Sequence, residues 1–430
     1  MNTLPLSAPF PQPTARRQFE FNLEALRGCA ALIVVVFHAL VVPASLDPAY
    51  TPGSIWQKLL PGHSSVLIFF ILSGYVIGLT NTKALTRHTI LSYLRKRLVR
   101  LYPIYLISLF IAAAVAGFKY SAFTLLGHVL FLQDSVIPVI SENMPLWSLN
   151  SEVLFYLLFI PVSYFSISPG RVCLLSLLLG LASRLLFPMP LLSSYCFGFV
   201  FWSSGLWLAQ SSLFAKQYSS RWFLIALLCL FFSYESLNPF FSITDALDKR
   251  LHINFLPTSG LYISFVDLFE WPFYFYLFLR FANHKLRGDV FVLLPLLFLN
   301  FAYSAHLFLK YKADPAKLEP FIFPMFFFLI GSVILLFTRN QHKNEQAAPL
   351  PVSLLKLGGI SYGIYVIHFP ISVFLSRFTT FSGSGFTFSV RLALDVMLVL
   401  LTGYVLEMKI QPWFKARFSE HTPRLATASK

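Results

Sequence analysis

Charged residues are scarce in this chain of 430 amino acids: they make up 12% of it, against about 25% in an average soluble domain. With so few charges and 57% hydrophobic residues, the chain is predicted to lie in a membrane. Acidic residues are especially few, 18 against 33 basic ones, and the net charge is +15. We attribute this excess to basic cytoplasmic loops and predict contacts with membrane lipid and none with nucleic acid.

Cysteines are few as well, and the four present (residues 29, 173, 196 and 229) lie in or beside apolar runs. They form neither a disulfide framework nor a metal-binding spacing, so we expect no metal and no permanently bound cofactor. The chain also lacks a polar stretch long enough for a soluble domain and any repeat of about 20–50 residues. The absence of repeats weighs mildly against a transporter built from two similar halves.

Long apolar runs without alternation predict membrane helices, whereas a barrel would show alternating segments of about ten residues. We therefore predict an all-α, polytopic transmembrane helical bundle of about 10–12 spans. The segments 171–187 and 221–236 are the weakest, and the stretch 123–133 is predicted to be interfacial or re-entrant. The twelve candidate helices cover residues 24–42, 64–81, 98–118, 147–166, 171–187, 191–210, 221–236, 261–281, 290–309, 320–338, 355–376 and 389–409.

Basic segments set the predicted orientation. The segment 82–100, predicted as a loop, and the C-terminal tail are both basic, and with twelve spans they fall on the side of the N-terminus. The lysine-bearing loop 310–319 runs against this trend. We expect cytoplasmic tails at 1–22 and 411–430 around a transmembrane domain at 23–410. The first apolar run lacks a clear cleavage site and is expected to remain as a helix, in a membrane that we predict to be the bacterial cytoplasmic (inner) membrane.

The first span carries an Arg–His pair. Arg27 and His38 are eleven residues apart, about three helical turns, so they share one face about 16 Å apart along the axis, with Glu24 one turn before Arg27. His38 is predicted to lie about mid-membrane, where a neutral imidazole is able to take a proton from a hydroxyl, and Arg27 near the cytoplasmic surface, where it is able to bind phosphate. A helix-packing His and an Arg that reaches the headgroups are an equally supported interpretation.

Two more motifs follow. Arg97 and Arg100 are three residues apart, hence on one helix face, and suit the phosphates of a nucleotide-containing donor. Taken alone, this run more often contacts anionic lipid. In the second span, Ser73 and Gly74 favour close helix packing, and Ser73 would be a nucleophile only with a base beside it.

Two ionisable residues lie in later apolar segments. Glu152 has no nearby cation in sequence, and a buried carboxylate must pair or stay protonated, so it either partners His38, orients a hydroxyl acceptor or binds a helix end. His368 precedes Pro370, which frees a backbone acceptor. We interpret it as a structural His bonded to that freed backbone.

The five motifs together resemble acyltransferase family 3, a group of integral membrane O-acyltransferases. They are Leu-Arg-Gly-x-Ala-Ala with its downstream His, Phe-Phe-x-Leu-Ser-Gly, Arg-x-x-Arg-x-x-Pro, Trp-Ser-Leu-x-x-Glu-x-x-Phe-Tyr and Ile-Ser-Tyr-x-x-Tyr-x-x-His-x-Pro, in the family's order. Glu24 stands where the family usually has Asp, and Leu67 stands where many members carry an acid.

The resemblance implies transfer of an acyl group, usually acetyl from acetyl-CoA as co-substrate, to a hydroxyl of a cell-surface carbohydrate or glycolipid. It implies a catalytic role for Arg27 and His38, and we add Glu152. The expected substrate-binding residues are Arg97, Arg100, Ser73, Glu24 and Trp147, with the first two on the acyl-CoA side.

Three rival interpretations stand beside this one. A transporter or flippase for a lipid-linked saccharide would also explain many spans and a basic face. A second is an acyltransferase that uses another donor, such as succinyl-CoA. A structural partner of a polysaccharide export complex would need no catalytic His.

Overall fold

The computed structural model describes residues 15–187, 189–251, 263–338 and 352–419. Within these ranges the chain is almost entirely helical, which confirms the predicted all-α class. The α-helices are α1 (Ala15–Val41), α2 (Gly62–Thr80), α3 (Arg87–Val115), α4 (Ala122–Val129), α5 (Trp147–Tyr164), α6 (Pro169–Leu185), α7 (Pro190–Gln210), α8 (Arg221–Tyr234), α9 (Pro239–Leu251), α10 (Phe265–Phe281), α11 (Val290–Tyr311), α12 (Pro315–Leu318), α13 (Ile322–Thr338), α14 (Val352–Ser376), α15 (Gly385–Val405) and α16 (Gln411–Ser419). Two short strands, β1 (Ala215–Lys216) and β2 (His284–Lys285), pair antiparallel.

Ten helical segments among the described residues are long and apolar enough to cross a membrane, and the chain is an integral membrane protein. The predicted spans at 171–187 and 261–281 correspond to α6 and α10, which have 17 residues each, at the lower limit for spanning. The stretch 123–133 holds the eight-residue α4, too short to span. Part of each predicted tail, 1–14 and 420–430, lies outside the described residues, while α1 and α16 occupy the remaining tail residues.

Most of the basic segment 82–100, from Arg87 onwards, is helical rather than a loop, which corrects the prediction. Helix α3 begins at Arg87, where Thr86 forms a capping box with Thr89. Hydropathy marks only the apolar part of this helix, but Lys and Arg are good helix formers and extend it towards its N-terminus. As a result, Arg97 and Arg100 project from a rigid element.

The central helices pack closely through small residues. Helix α1 lies against α2 and α14, and α2 packs along α7. A Cβ atom on Gly74 would lie 1.8 Å from the carbonyl oxygen of Trp202, and one on Gly205 would lie 1.9 Å from that of Ile71. The backbones of α2 and α7 therefore touch directly, as the Ser-Gly pair in the second span predicts.

The loop after α1 is fixed to the connection between α14 and α15. The buried carboxylate of Asp47 accepts hydrogen bonds from Ser382, Thr387 and the backbone of Gly383. Burial alone would raise the pKa of Asp47, but these hydrogen bonds together lower it below its ordinary value. The guanidinium of Arg391 reinforces the same junction by donating to the carbonyl oxygens of Leu46, Leu375, Phe378 and Phe381.

Helix α11 lies at the edge of the bundle. Only 11% of the residues in its 18-residue apolar stretch are buried. Phe291, Phe298, Phe301 and Phe308 are all exposed. Such a continuous apolar surface is soluble only in lipid. The polar residues, by contrast, gather among α1, α2, α3, α5 and α14, where the candidate site lies.

Candidate active site

A cavity of about 850 Å³, counting its open mouth, lies among α1, α2, α3, α5 and α14. Five of the eight predicted site residues line it, from four separate helices. They are Arg27, Ser73, Arg97, Arg100 and Glu152. His38 and Trp147 are not among its lining residues, and Glu24 contributes through Arg27.

Arg27 reaches from α1 to α14. Its Nε donates to the carbonyl oxygen of Gly358 at 2.8 Å, and its Nη2 donates to Glu24 Oε2 at 2.7 Å. The two helices come this close because Gly358 has no side chain: a Cβ there would lie 2.2 Å from the carbonyl oxygen of Glu24. The carboxylate and the carbonyl together fix the Arg27 guanidinium at the cavity wall.

Arg100 is held by an ion pair. Its Nη1 donates to Glu407 Oε2 at 2.6 Å, and the Glu407 side chain is only 4% exposed. Glu407 belongs to a π-helical turn, Leu406–Ile410, that follows α15. The Arg100 guanidinium also lies over the ring of Tyr362, with 5.3 Å to its centroid. Its orientation is therefore set by α14 and α15.

Arg97 has weaker polar contacts than the other two arginines of the cavity. No ion pair within 4 Å involves it in the described part of the chain, although Arg27 and Arg100 each have one. Its Nη2 lies 3.5 Å from Thr80 Oγ1, and its buried Nε has no hydrogen-bond partner among the described residues. A guanidinium that faces a cavity with unused donors suits an incoming phosphate.

A polar cluster forms the wall opposite the arginines. Ser73 Oγ donates to Glu152 Oε1 at 2.9 Å and accepts from Trp202 Nε1 at 3.2 Å. Tyr156 donates to the same carboxylate oxygen at 2.5 Å. Glu152 thus shares this cluster and the cavity rather than contacting His38, so its possible partnership with His38 is not observed. Its hydrogen bonds orient a carboxylate towards the cavity.

His38 does not lie midway along its helix, which corrects the prediction. It stands in the last turn of α1, which ends at Val41 just before Pro43. The apolar run continues in sequence beyond this point, but proline ends the helix. His38 and Arg27 therefore mark opposite ends of the α1 segment that borders the site.

The ring of His38 is turned towards α14, where it meets His368. His368 Nδ1 lies 2.7 Å from the carbonyl oxygen of Tyr365, which can only accept, so Nδ1 carries the hydrogen and Nε2 is a bare acceptor. His38 Nδ1 lies 2.9 Å from the Val34 carbonyl oxygen and 3.2 Å from His368 Nε2. His38 Nδ1 therefore also carries its hydrogen, and the lone pair of neutral His38 is on Nε2.

The carbonyl freed by Pro370 has a different partner from the one expected. Proline lacks an N–H, so the Val366 oxygen four residues earlier has no helical donor. Asn143 Nδ2 supplies the hydrogen bond at 3.0 Å. The predicted bond from His368 to the freed backbone is not the one observed. Instead, Nε2 of His368 is left to face His38.

Tyr365 and Phe69 lie between the cavity and the two imidazoles. Both line the cavity, and their rings are 5.7 Å apart in an edge-to-face contact. The Tyr365 ring is also 6.0 Å from that of His368. The hydroxyl of Tyr365 donates to the Pro145 oxygen at 2.9 Å. A single layer of aromatic rings therefore separates the arginine cavity from the pair formed by His38 and His368.

Trp147 belongs to a second polar cluster. Its ring stacks on that of His63 at 6.5 Å, and His63 Nε2 lies 3.1 Å from Asp267 Oδ1. His63 stands at the start of α2, beside Gly62, which packs against Phe37 next to His38. Trp147 therefore packs against His63, while its neighbour Ser148 lines the arginine cavity. Among the described residues, no group of three or more His, Cys, Asp or Glu side chains is placed to hold a metal ion.

These features define a polytopic membrane protein with a cationic cavity and, close to it, an imidazole pair formed by the partly buried His38 and the buried His368. Residues 20–291, more than half of the chain, match the acyltransferase domain of acyltransferase family 3, and the chain belongs to that family. It is also 30% identical over 150 residues to the acyltransferase MdmB of Streptomyces mycarofaciens, a match that covers 32% of this chain and 38% of that protein. No solved structure matches the chain.

The family match ends before α14, so it includes Arg27 and His38 but not His368. The sequence marks His368 only by the His-x-Pro pattern. Tyr156 and Glu407, which hold Glu152 and Arg100, were not predicted as site residues. Tyr156 lies one turn after Glu152 on α5 and ends the Trp-Ser-Leu-x-x-Glu-x-x-Phe-Tyr motif, so this motif is the signal that could have indicated it. Glu407 carries no such signal, because it acts through Arg100 on another helix.

Proposed function

We propose that the protein transfers an acyl group, acetyl in the simplest case, from acyl-CoA to a hydroxyl of a carbohydrate or glycolipid at the cell surface. The membership of acyltransferase family 3 supports acyl transfer in general. The observation that carries the choice of donor is the three-arginine cavity, in which Arg97 has unused hydrogen-bond donors. Phosphate groups are the ligands that arginines bind best.

In this proposal the donor and the acceptor reach the site from opposite sides of the membrane. Arg27, Arg97 and Arg100 face the cytoplasm, where acyl-CoA is made, and His38 lies about 16 Å further along α1, towards the opposite surface. Both termini are cytoplasmic, in the inner membrane of a bacterium, as the basic N-terminal part of α3 suggests. The donor enters from the arginine side, and the acceptor reaches His38 from the other.

The chemical step uses the lone pair on His38 Nε2. This nitrogen takes the proton of the acceptor hydroxyl while the hydroxyl oxygen attacks the thioester carbon. A carbon–oxygen bond forms, the carbon–sulfur bond breaks, and the thiolate of CoA leaves towards the arginine cavity. General-base catalysis of this kind typically contributes about 10²–10⁴-fold to the rate.

The first test replaces the base. Membranes from the producing cell, which carry the natural acceptor, are given radiolabelled acetyl-CoA, and transfer is measured for the wild type and for His38→Ala. We expect His38→Ala to lose about 10²-fold or more, while His306→Ala, a change on the exposed side of α11, leaves transfer unchanged. Equal transfer by His38→Ala and the wild type would remove His38 from the mechanism.

The second test concerns the donor. Arg97→Ala removes hydrogen bonds to a charged phosphate, each worth about 1.5–3 kcal/mol, so the KM for acetyl-CoA is expected to rise by about 10- to 100-fold. Lys96→Ala removes an equal charge from the exposed side of the same helix and serves as the matched control. A KM that is the same in both variants contradicts the assignment.

A third measurement separates this enzyme from a flippase of lipid-linked sugars. Surface polysaccharides from cells with and without the protein are compared by mass spectrometry. An acyltransferase adds the mass of one acyl group to a repeating unit, whereas a flippase changes the amount of polysaccharide without that mass difference.

A further inference from the structure

His368 is placed to assist His38, although it lies outside the part of the chain that matches the family. It is fully buried, and the carbonyl oxygen of Tyr365 fixes its hydrogen on Nδ1. Its free lone pair, on Nε2, therefore faces His38 Nδ1 at 3.2 Å. This contact joins α14 to the end of α1.

We propose that His368 is a positioning residue for His38: it accepts the Nδ1–H of His38, holds the ring so that Nε2 is the base, and stabilises the charge that forms on His38. This inference rests on the function proposed above. When His38 takes the proton of the acceptor hydroxyl, its Nδ1–H becomes part of a cation. The hydrogen bond to the neutral Nε2 of His368 is then charge-assisted and about twice as strong.

The surroundings of His38 give this contact its importance. Its ring meets the edges of Phe37 and Phe369, at 5.3 and 5.6 Å, and these rings offer no hydrogen-bond acceptor. In many hydrolases a carboxylate orients the catalytic imidazole. Here the Val34 carbonyl and His368 occupy the Nδ1 side, and only His368 comes from another helix. His368 therefore fixes the ring relative to the rest of the site.

Two amide substitutions test the idea with little change in polarity. In His368→Gln the side-chain oxygen reaches about as far as Nε2 and is able to accept from His38. In His368→Asn the shorter amide reaches only the position of Nδ1. Transfer from radiolabelled acetyl-CoA in membranes of the producing cell gives a maximal rate and a KM for the donor.

We expect His368→Asn to lower the maximal rate by about 10- to 100-fold, on the order of one hydrogen bond to a charged group, with an unchanged KM for acetyl-CoA. His368→Gln is expected to keep most of the wild-type rate. In a His38→Ala background, adding His368→Asn is expected to cause no further loss, because the two residues act as a unit.

Three results would overturn the inference: a full rate in His368→Asn, equal rates in the Asn and Gln variants, or losses that multiply in the double variant. A changed thermal midpoint with equal rates would assign His368 a structural role alone. If His38→Ala keeps the full rate, the proposed base fails, and the role of His368 fails with it. If His38→Ala is inactive and His368→Asn is fully active, only the role of His368 is wrong.

Discussion

Adding a single methyl group between α2 and α7 is expected to separate the two helices. The Cβ of Gly74→Ala would lie 1.8 Å from the Trp202 carbonyl oxygen, and ordinary contact begins at 3.4 Å, so the helices must move apart by about 1.6 Å, the difference between the two distances. Neither side yields easily, because the obstacle is backbone. Overpacking of this kind costs about 1–3 kcal/mol and occasionally more.

Two other terms enter the estimate. Replacing glycine by alanine inside a helix returns about 1 kcal/mol of helix propensity. Moving α7 away also weakens the hydrogen bond from Trp202 Nε1 to Ser73 Oγ, worth about 0.5–1.5 kcal/mol. We expect a net loss of about 2 kcal/mol or more. Since Ser73 holds Glu152, activity is expected to fall together with stability.

The assay is the thermal midpoint of the detergent-purified protein, followed by loss of the monodisperse peak in size-exclusion chromatography. Gly205→Ala, whose Cβ would lie 1.9 Å from the Ile71 oxygen, is expected to behave like Gly74→Ala. Gly359→Ala is the control, because its nearest neighbour is the mobile end of Met408 at 3.2 Å. Midpoints for both test variants equal to that of the wild type would refute the direct backbone contact.

Three other predictions follow from single contacts. Because hydrogen bonds lower the pKa of Asp47, its contribution to stability is present above about pH 4 and disappears as the pH falls through the lowered value. Asp47→Asn is expected to have a lower thermal midpoint at pH 7, and this midpoint is expected to depend less on pH in the acidic range. Arg100→Leu leaves the buried Glu407 carboxylate unpaired and is expected to cost about 3–5 kcal/mol; adding Glu407→Leu should restore the midpoint but not the KM for acetyl-CoA. Ser73→Ala is expected to keep transfer within about tenfold, since it removes one hydrogen bond to the Glu152 carboxylate and Tyr156 still donates to that carboxylate; a fall to background would instead indicate an acyl-serine intermediate.

Features that depend on a single helix can be predicted from the sequence. The 3.6-residue period places Arg27 and Glu24 on one face, and in the structure they form an ion pair. The helical class and the number of spans follow from apolar length. The stretch 87–97 was left out of the predicted span 98–118 because hydropathy registers lipid contact and not helix propensity. The predicted first span, 24–42, ends within one residue of the observed helix, but this bound leaves His38 in the last turn, so His38 lies nearer the end of α1 than the mid-membrane prediction placed it.

Contacts between helices that are far apart in the chain could not be predicted from the sequence. The bonds from Arg27 to Gly358 and from Arg100 to Glu407 join residues 331 and 307 positions apart. No local pattern encodes such a pairing, since it depends on how the whole bundle packs. The same reason explains why His368 was interpreted as structural. Its partner was already identified as a candidate, but nothing in the chain indicated that the two would meet.

The contact between α1 and α14 has a consequence for biosynthesis. The first helix enters the bilayer roughly 300 residues before its partner has been translated, and the two imidazoles are 330 positions apart. Until then, the ring at residue 38 lacks its neighbour, and Arg27 lacks the carbonyl that fixes it. A ribosome that stops short of α14 would therefore release a chain in which residue 38 and Arg27 both lack these partners.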